Sequence, residues 1–150
     1  MLHSDLSIIA RGSETFMSRC LGDFGITAAE VILLIYLYGH DNSRQEDLAE
    51  YFMLDKGTIA KTLQKLEKKE IIERIVNKED QREKVSCLTD KGYALQDVCT
   101  DLVRLWHETM FQGITAEEGK IFERTVHKIA ANVTENLEKW EHVYGRANAS

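Results

Sequence analysis

The chain lacks proline altogether and contains few cysteines, and both scarcities narrow the class of protein. Because proline breaks helices, a chain of 150 residues with none, of which 29% are charged, suits long uninterrupted helices. Three cysteines are an odd number and form no Cys-x-x-Cys pair. We therefore expect no disulfide framework, and we expect the protein to be located in the reducing cytoplasm.

Long apolar runs and enzyme motifs are missing as well. The sequence contains no run of about 18 apolar residues, so no transmembrane helix is expected. The first residues lack the basic start and the apolar block of a signal peptide. The sequence has no Gly-x-Ser-x-Gly, no P-loop and no Gly-rich dinucleotide turn, and its five histidines show no metal-ligand spacing. We therefore expect no enzyme activity, no cofactor, no metal and no membrane partner.

The charge of the chain is negative overall but unevenly distributed. A formal net charge of −6 argues by itself against a nucleic-acid binder. However, residues 56–69 carry five lysines and one glutamate, a charge of +4, so the remainder carries −10. Because the local field matters more than the sum, this basic segment is a candidate nucleic-acid interface.

Apolar periodicity predicts a mainly helical chain. Six helices are expected, near residues 1–21, 27–37, 43–51, 55–69, 90–112 and 115–144. Three of them begin at a capping box, a Thr or Ser followed three residues later by Glu, and two begin at a single capping residue. The boxes are Thr27 with Glu30, Ser43 with Glu46, and Thr115 with Glu118, and the single caps are Asp55 and Thr89.

The two short helices near residues 43–51 and 55–69 are joined tightly enough to form a helix-turn-helix. On the second, Ile59, Leu63 and Leu66 share one face, and the basic residues lie roughly opposite. Lysines there can reach phosphates, threonines can contact phosphate or a thymine methyl, and Gly57 would allow close backbone approach. The predicted DNA-contacting residues of this recognition helix are Lys56, Gly57, Thr58, Lys61, Thr62, Lys65 and Lys69.

A β-hairpin follows the predicted recognition helix. An apolar strand at residues 71–76 leads to a polar tip at 77–83 and a return strand at 84–88. The predicted fold is therefore mainly α with a small β-hairpin wing. We expect an N-terminal dimerisation helix at 1–24, a winged helix-turn-helix DNA-binding domain at 26–92, and C-terminal dimerisation helices at 93–145. A single-chain bundle could bury the outer helices, but a dimer would bury their apolar stripes more completely.

The motifs around the hairpin resemble those of the MarR family of winged helix-turn-helix transcriptional regulators. The family pattern, Asp-x-Arg followed by Leu-Thr-x-x-Gly, stands here as Asp80-Gln81-Arg82 and Leu88-Thr89-Asp90-Lys91-Gly92. Residues 63–74 are similar to the end of the family's recognition helix and its first wing strand. The resemblance extends over residues 1–145 and is strongest at 43–92.

The resemblance implies a homodimer that binds a pseudo-palindromic DNA operator, with recognition helices in successive major grooves. Arg82 would enter an A·T-rich minor groove, oriented by an ion pair with Asp80. The implied wing contacts are Lys78, Asp80, Arg82 and Lys84. The chain departs from the family pattern at Gln81, where arginine is usual, and at Glu70, where glycine is usual. Glu83 also adds an acid beside Arg82, and Ser86 replaces a β-branched apolar residue.

The expected function is that of a sequence-specific DNA-binding regulator, a repressor released by a small-molecule effector. Candidate residues for the ligand pocket are Arg11, Phe16, Tyr36, Tyr38, His40, Trp106 and Met110. One alternative is a helical dimer whose winged domain binds protein instead of DNA. Another is a thiol-based redox-sensing regulator, although Cys20, Cys87 and Cys99 are each expected to be buried structural thiols.

Overall fold

The computed structural model describes residues 1–77 and 80–144, and the side-chain surroundings up to residue 136. Helices dominate, and three short strands form one antiparallel sheet in the order β1-β3-β2. The helices are α1 (Leu2–Leu21), α2 (Ala28–Gly39), α3 (Gln45–Phe52), α4 (Lys56–Lys68), α5 (Asp90–Ala94), α6 (Gln96–Met110) and α7 (Ala116–Tyr144). The strands are β1 (Ser43–Arg44), β2 (Ile72–Val76) and β3 (Lys84–Leu88). The predicted fold class, mainly α with a hairpin wing, is confirmed.

The chain divides into two compact units, residues 1–109 and the residues from 110 onward. The first unit holds the hydrophobic core, and α2 supplies much of it. Val31, Leu34 and Leu37 on this helix are completely buried. They pack with apolar residues of the helix-turn-helix and the sheet: Leu48, Ile59, Leu63, Leu66, Ile71, Ile72 and Leu88. The core thus fixes the two short helices and the hairpin against one central helix.

Several predicted helix starts are confirmed at the level of hydrogen bonds. The Thr27 backbone N–H donates to the Glu30 carboxylate at 2.7 Å, and Thr115 makes the same contact with Glu118 at 2.9 Å. The Gly92 N–H donates to the Thr89 hydroxyl at 3.2 Å. These contacts satisfy backbone groups that a helix end leaves without intrahelical partners.

Two predicted helix boundaries are wrong. Ser43 does not cap α3; it lies in β1, where it pairs with Ser86, and the helix begins after Arg44. A two-residue strand has too few residues to show the alternation that would reveal it in the sequence. The predicted helix from Asp90 to Gln112 is interrupted at Leu95, whose N–H bonds to the Gly92 carbonyl at 3.2 Å in a tighter turn.

The second unit begins at Met110, the last residue of α6, and contains the loop that follows and helix α7. Phe111 packs edge-on against Phe122, with ring centroids 5.8 Å apart. Along α7 the apolar stripe predicted from the sequence is solvent-exposed in the single chain at Phe122, Val126, Ile129 and Val133. Its continuation at Leu137 and Trp140 falls outside the side chains that the structure describes.

In the described part of the chain, no single helix is long and apolar enough to cross a membrane. The segments Leu2–Phe24 and Ala28–Gly39 reach the necessary length and composition when taken together, and they are bent by 79° relative to each other.

Candidate nucleic-acid interface

Helices α3 and α4 are joined by a tight turn that brings them into the helix-turn-helix arrangement. Met53 takes the left-handed backbone conformation with φ of 52°, and the Leu54 N–H bonds back to the Ala49 carbonyl at 3.0 Å. Asp55 then caps α4, because its carboxylate accepts the Thr58 N–H at 2.9 Å. Hydrogen bonds from the Thr58 hydroxyl and N–H lower the pKa of Asp55, so the cap keeps its negative charge to a lower pH than an ordinary aspartate does.

The two faces of α4 have different environments, as the sequence predicts. Ile59, Leu63 and Leu66 are buried in the core. The opposite face is exposed at Lys56, Gly57, Thr58, Lys61 and Lys65. Thr62 is half-buried, and its hydroxyl donates to the Thr58 carbonyl at 3.1 Å. This arrangement leaves a positively charged helix surface facing solvent.

Sequence reasoning missed two exposed residues on this surface, Gln64 and Lys68. Lys61, Lys65 and Lys68 are spaced by four and then three residues, so they form one stripe along α4. That spacing was the available signal. Lys56, at the start of the helix, differs from them because its ammonium pairs with Glu46 at 3.2 Å.

Lys69 does not belong to this exposed surface, and its predicted position there is wrong. The helix ends at Lys68, and the Lys69 ammonium lies 2.6 Å and 2.8 Å from the two carboxylate oxygens of Glu30. Glu30 is completely buried in α2. Burial acts to raise the pKa of Glu30, but hydrogen bonds from Lys69 and Thr27 outweigh it and lower that pKa. Lys69 therefore joins α2 to the end of the recognition helix.

The predicted wing is present as β2 and β3, which pair antiparallel from Ile72 opposite Leu88 to Val76 opposite Lys84. Both Arg82 and Lys84 are exposed. The Asp80 carboxylate accepts the backbone N–H of Arg82 at 2.9 Å, in place of the predicted ion pair with its guanidinium. Since two residues at a tight tip are close along the backbone, the Asp80 side chain reaches the nearer main-chain donor. Lys78 lies outside the described residues.

Glu83, predicted as an added acid beside Arg82, is engaged by Arg44. The Arg44 guanidinium lies 3.3 Å from Glu83 and 2.6 Å from Asp47. Hydrogen bonds and the charges of these two carboxylates raise the pKa of Arg44. The negative charge of Glu83 is therefore partly compensated where the wing meets α3.

Four of the predicted ligand-pocket residues are divided between two clefts of the first unit. Arg11 and Phe16 line a cleft of about 520 Å³ along α1, and Tyr36 and His40 line another of about 300 Å³ with Tyr51. Tyr38 and Trp106 line neither of these two clefts, and Met110 belongs to the second unit.

Tyr38 and Trp106 have other contacts within the first unit. The Tyr38 hydroxyl donates to the Gly92 carbonyl at 3.0 Å, and burial raises the pKa of Tyr38. Trp106 packs on Phe16 with ring centroids 5.4 Å apart. Both residues therefore contribute to packing between helices, as aromatic residues at helical spacing commonly do.

The three cysteines lie in different environments. Cys87 and Cys99 are buried, as predicted, and burial raises the pKa of the Cys99 thiol. Cys20 is exposed, so the prediction that it is buried is wrong. It follows Arg19 near the end of α1, where the apolar stripe of the helix is only partly covered. Cys20 lines the 520 Å³ cleft beside Arg11 and Phe16.

A helix-turn-helix with an exposed lysine stripe, followed directly by a two-stranded hairpin, defines a winged-helix DNA-binding protein. The model of the MarR family matches residues 26–84. The transcriptional regulator SarZ of Staphylococcus epidermidis is 30% identical over 121 residues, which make up 79% of this chain and 77% of SarZ. The chain belongs to the MarR family, as the sequence motifs predicted.

Solved structures agree with this assignment. A crystal structure of MarR is 31% identical and matches with a TM-score of 0.71, covering 93% of this chain and 95% of that one. The complex of Staphylococcus aureus MepR with DNA is 25% identical and has a TM-score of 0.79, with 88% and 98% covered. The chain is accordingly a DNA-binding transcriptional regulator, and the prediction that it is not an enzyme is confirmed by its family.

Proposed function

We propose that the chain represses transcription as a homodimer bound to a pseudo-palindromic operator, and that a small molecule releases it. Each protomer places α4 in a major groove and the tip of its wing in the adjacent minor groove. A two-fold symmetric dimer reads two equivalent half-sites, so the operator mirrors the symmetry of the protein.

The observation that carries this proposal is the exposed stripe of Lys61, Lys65 and Lys68 in a chain of net charge −6. An acidic protein gains no general attraction to DNA, so a localised basic helix directs the encounter to one face. The capped start of α4 fixes that face relative to the core. Arg82, exposed at the wing, supplies a second point of contact suited to a narrow minor groove.

The homodimer is supported by apolar side chains that one chain leaves uncovered. Four residues of the α7 stripe are between 38% and 48% exposed. On α1, Leu2, Leu6 and Ile9 are between 40% and 72% exposed. Exposed apolar stripes of this kind on helices are typical of faces that pack against another chain.

Release by an effector is supported by the cleft beside α2. Tyr36, His40 and Tyr51 border about 300 Å³, a volume within the range that small ligands occupy. The same helix carries Glu30, which holds Lys69 at the end of α4. A ligand that fits better when α2 is displaced would favour the state that does not bind DNA.

The proposal is tested by a gel shift with the DNA upstream of the chain's own coding region, at two salt concentrations. We expect retarded complexes at low salt that weaken steeply at high salt, and a footprint with two equal halves about one helical turn apart. The absence of a shift at low salt would contradict DNA binding and favour a winged domain that binds protein.

A further inference from the structure

The first turn of α3 is connected by side chains to both DNA-binding elements. The Gln45 amide nitrogen donates to the carbonyl of Lys56, the first residue of α4, at 3.1 Å. The Gln45 amide oxygen accepts from the Arg74 guanidinium on wing strand β2 at 3.2 Å. One glutamine therefore links the start of the recognition helix to the strand that leads into the wing.

Arg74 lies on the side of the wing that faces the helices. It is two residues after Ile72 in β2, and alternate residues of a strand share one face. Ile72 is buried in the same core cluster as Leu63 and Leu66 of α4. Arg74 is half-buried, and its guanidinium lies against Gln45 in the first turn of α3.

Among the described residues, no acid lies within ion-pair distance of Arg74. Arg44 of β1, by contrast, pairs with both Asp47 and Glu83. Arg74 forms none of the ion pairs found among the described residues, and its partner Gln45 is neutral. A guanidinium has five N–H donors, and only one of its nitrogens contacts Gln45, so donors remain for an anion.

We propose that Arg74 binds a DNA backbone phosphate between the major groove occupied by α4 and the minor groove occupied by the wing, and that Gln45 positions it. Guanidinium groups bind phosphate in a bidentate manner, which favours arginine over lysine at such a point. Because Gln45 is also bonded to the first turn of α4, this phosphate contact has a fixed distance from the residues that read bases. Gln45 itself is a positioning residue, because its amide nitrogen and its amide oxygen are both hydrogen-bonded within the protein.

This inference rests on the proposed DNA-binding function, and the salt dependence of binding tests it separately. Affinity is measured by fluorescence anisotropy on a labelled duplex from the upstream region, with full-length wild type, Arg74→Ala, Arg74→Lys, Gln45→Ala and Gln45→Glu. Arg74→Ala should weaken binding about tenfold and reduce the slope of log affinity against log salt by about two per dimer. Arg74→Lys keeps the charge and should keep the slope.

The two variants of Gln45 distinguish a positioning role from direct binding of phosphate. Gln45→Ala should weaken binding about threefold with an unchanged slope, and should have no further effect when combined with Arg74→Ala. Gln45→Glu places a carboxylate against Arg74, so it should reduce the slope as Arg74→Ala does. Arg104→Ala removes an exposed arginine of α6 that pairs with Asp101 and Glu108, and it should change neither quantity.

Thermal denaturation of each variant shows whether the protein is still folded. A folded variant with weaker binding has lost a contact, whereas an unfolded variant gives no information about the contact. If wild type binds with a steep slope and Arg74→Ala keeps that slope, Arg74 is only a structural link and the inference is overturned. If Arg74→Ala unfolds, the salt slopes of Gln45→Glu and Gln45→Ala are compared instead. Equal slopes for these two variants contradict the phosphate contact. If wild type does not bind the duplex at low salt, the proposed function fails together with the inference.

Discussion

At the scale of single residues, Glu70 explains how the recognition helix ends without the glycine that is usual at this position in the family. Glu70 takes the left-handed conformation with φ of 59°, and the Ile71 N–H bonds back to the Leu66 carbonyl at 3.0 Å. This is the hydrogen-bond pattern in which glycine is favoured, because it has no Cβ to clash with the neighbouring carbonyl. The departure from the family pattern at Glu70 therefore changes the residue and leaves the way the helix closes unchanged.

Glu70→Gly should therefore stabilise the protein. We expect the free energy of unfolding to rise by about 0.5–1 kcal/mol, since relief of the left-handed strain exceeds the entropy that glycine adds to the unfolded chain. Urea denaturation measures this. Glu67→Gly, one turn earlier in α4, is the matched control and should lower the free energy of unfolding by about 1 kcal/mol. A loss of stability in both variants would contradict the explanation.

The pair of Lys69 and Glu30 also acts at this scale, and its contribution should depend on pH. Lys69→Met leaves a buried carboxylate without its cation, which should lower the free energy of unfolding by about 3 kcal/mol at pH 7. The double variant Glu30→Gln with Lys69→Met should recover most of that loss.

The direction of the pH effect follows from the lowered pKa of Glu30. A carboxyl whose pKa is lower in the folded state stabilises the protein above its ordinary pKa, and this contribution is lost as the pH falls through the folded value. The difference in stability between wild type and Lys69→Met should consequently shrink in acid. Denaturation curves between neutral and acidic pH measure it, and a difference that does not change with pH would contradict the ion pair.

At the scale of elements, the recognition helix was largely predictable and its last residue was not. The buried face at Ile59, Leu63 and Leu66 and the cap at Asp55 follow from spacing and residue type. Lys69 is four residues after Lys65, so helical periodicity places it on the exposed face. However, α4 ends one residue earlier, and the partner of Lys69 is 39 positions away in sequence, which no local pattern reveals.

The wing should recognise base composition indirectly through Arg82. Arg82→Ala should weaken binding about tenfold on operators with A·T-rich flanks and much less on G·C-rich flanks, because the narrow A·T groove has the stronger negative potential. Competition between the two duplexes in an anisotropy assay measures the ratio. Lys84→Ala removes the same charge from the first residue of β3, next to the tip, and its effect should not depend on the flank. Equal losses for Arg82→Ala on both duplexes would exclude the minor-groove role.

At the scale of the whole molecule, the order of helices and hairpin could be predicted because periodicity and capping are local. The contacts between elements could not be predicted, because they depend on residues that come together only after folding. The bond from Tyr38 to Gly92 connects positions 54 residues apart, and Gln45 meets Arg74 across 29. The fold class was therefore predictable, and so was the location of the site on the recognition helix and the wing. The link between that helix and wing was not predictable.

The α7 stripe predicts a subunit interface at this scale. Ile129→Glu places a charge within that exposed apolar stripe and should shift the protein from dimer to monomer at micromolar concentration, with a parallel loss of affinity for a two-half-site operator. Sedimentation velocity measures the first effect. Lys128→Glu introduces the same acid next to the stripe and should leave the dimer intact. Monomers for both variants, or dimers for both, would contradict an interface formed by this stripe.

The central claim is that the exposed lysines of α4 contact DNA phosphates in an otherwise acidic protein. It is tested most directly by the salt dependence of binding for wild type and for Lys61→Ala with Lys65→Ala. We expect the double variant to fold normally and its slope to fall by about four per dimer, since each lysine neutralises one phosphate. Removing Lys120 and Lys128 from α7 should leave the slope unchanged. A slope for the α4 variant equal to that of wild type would contradict the claim.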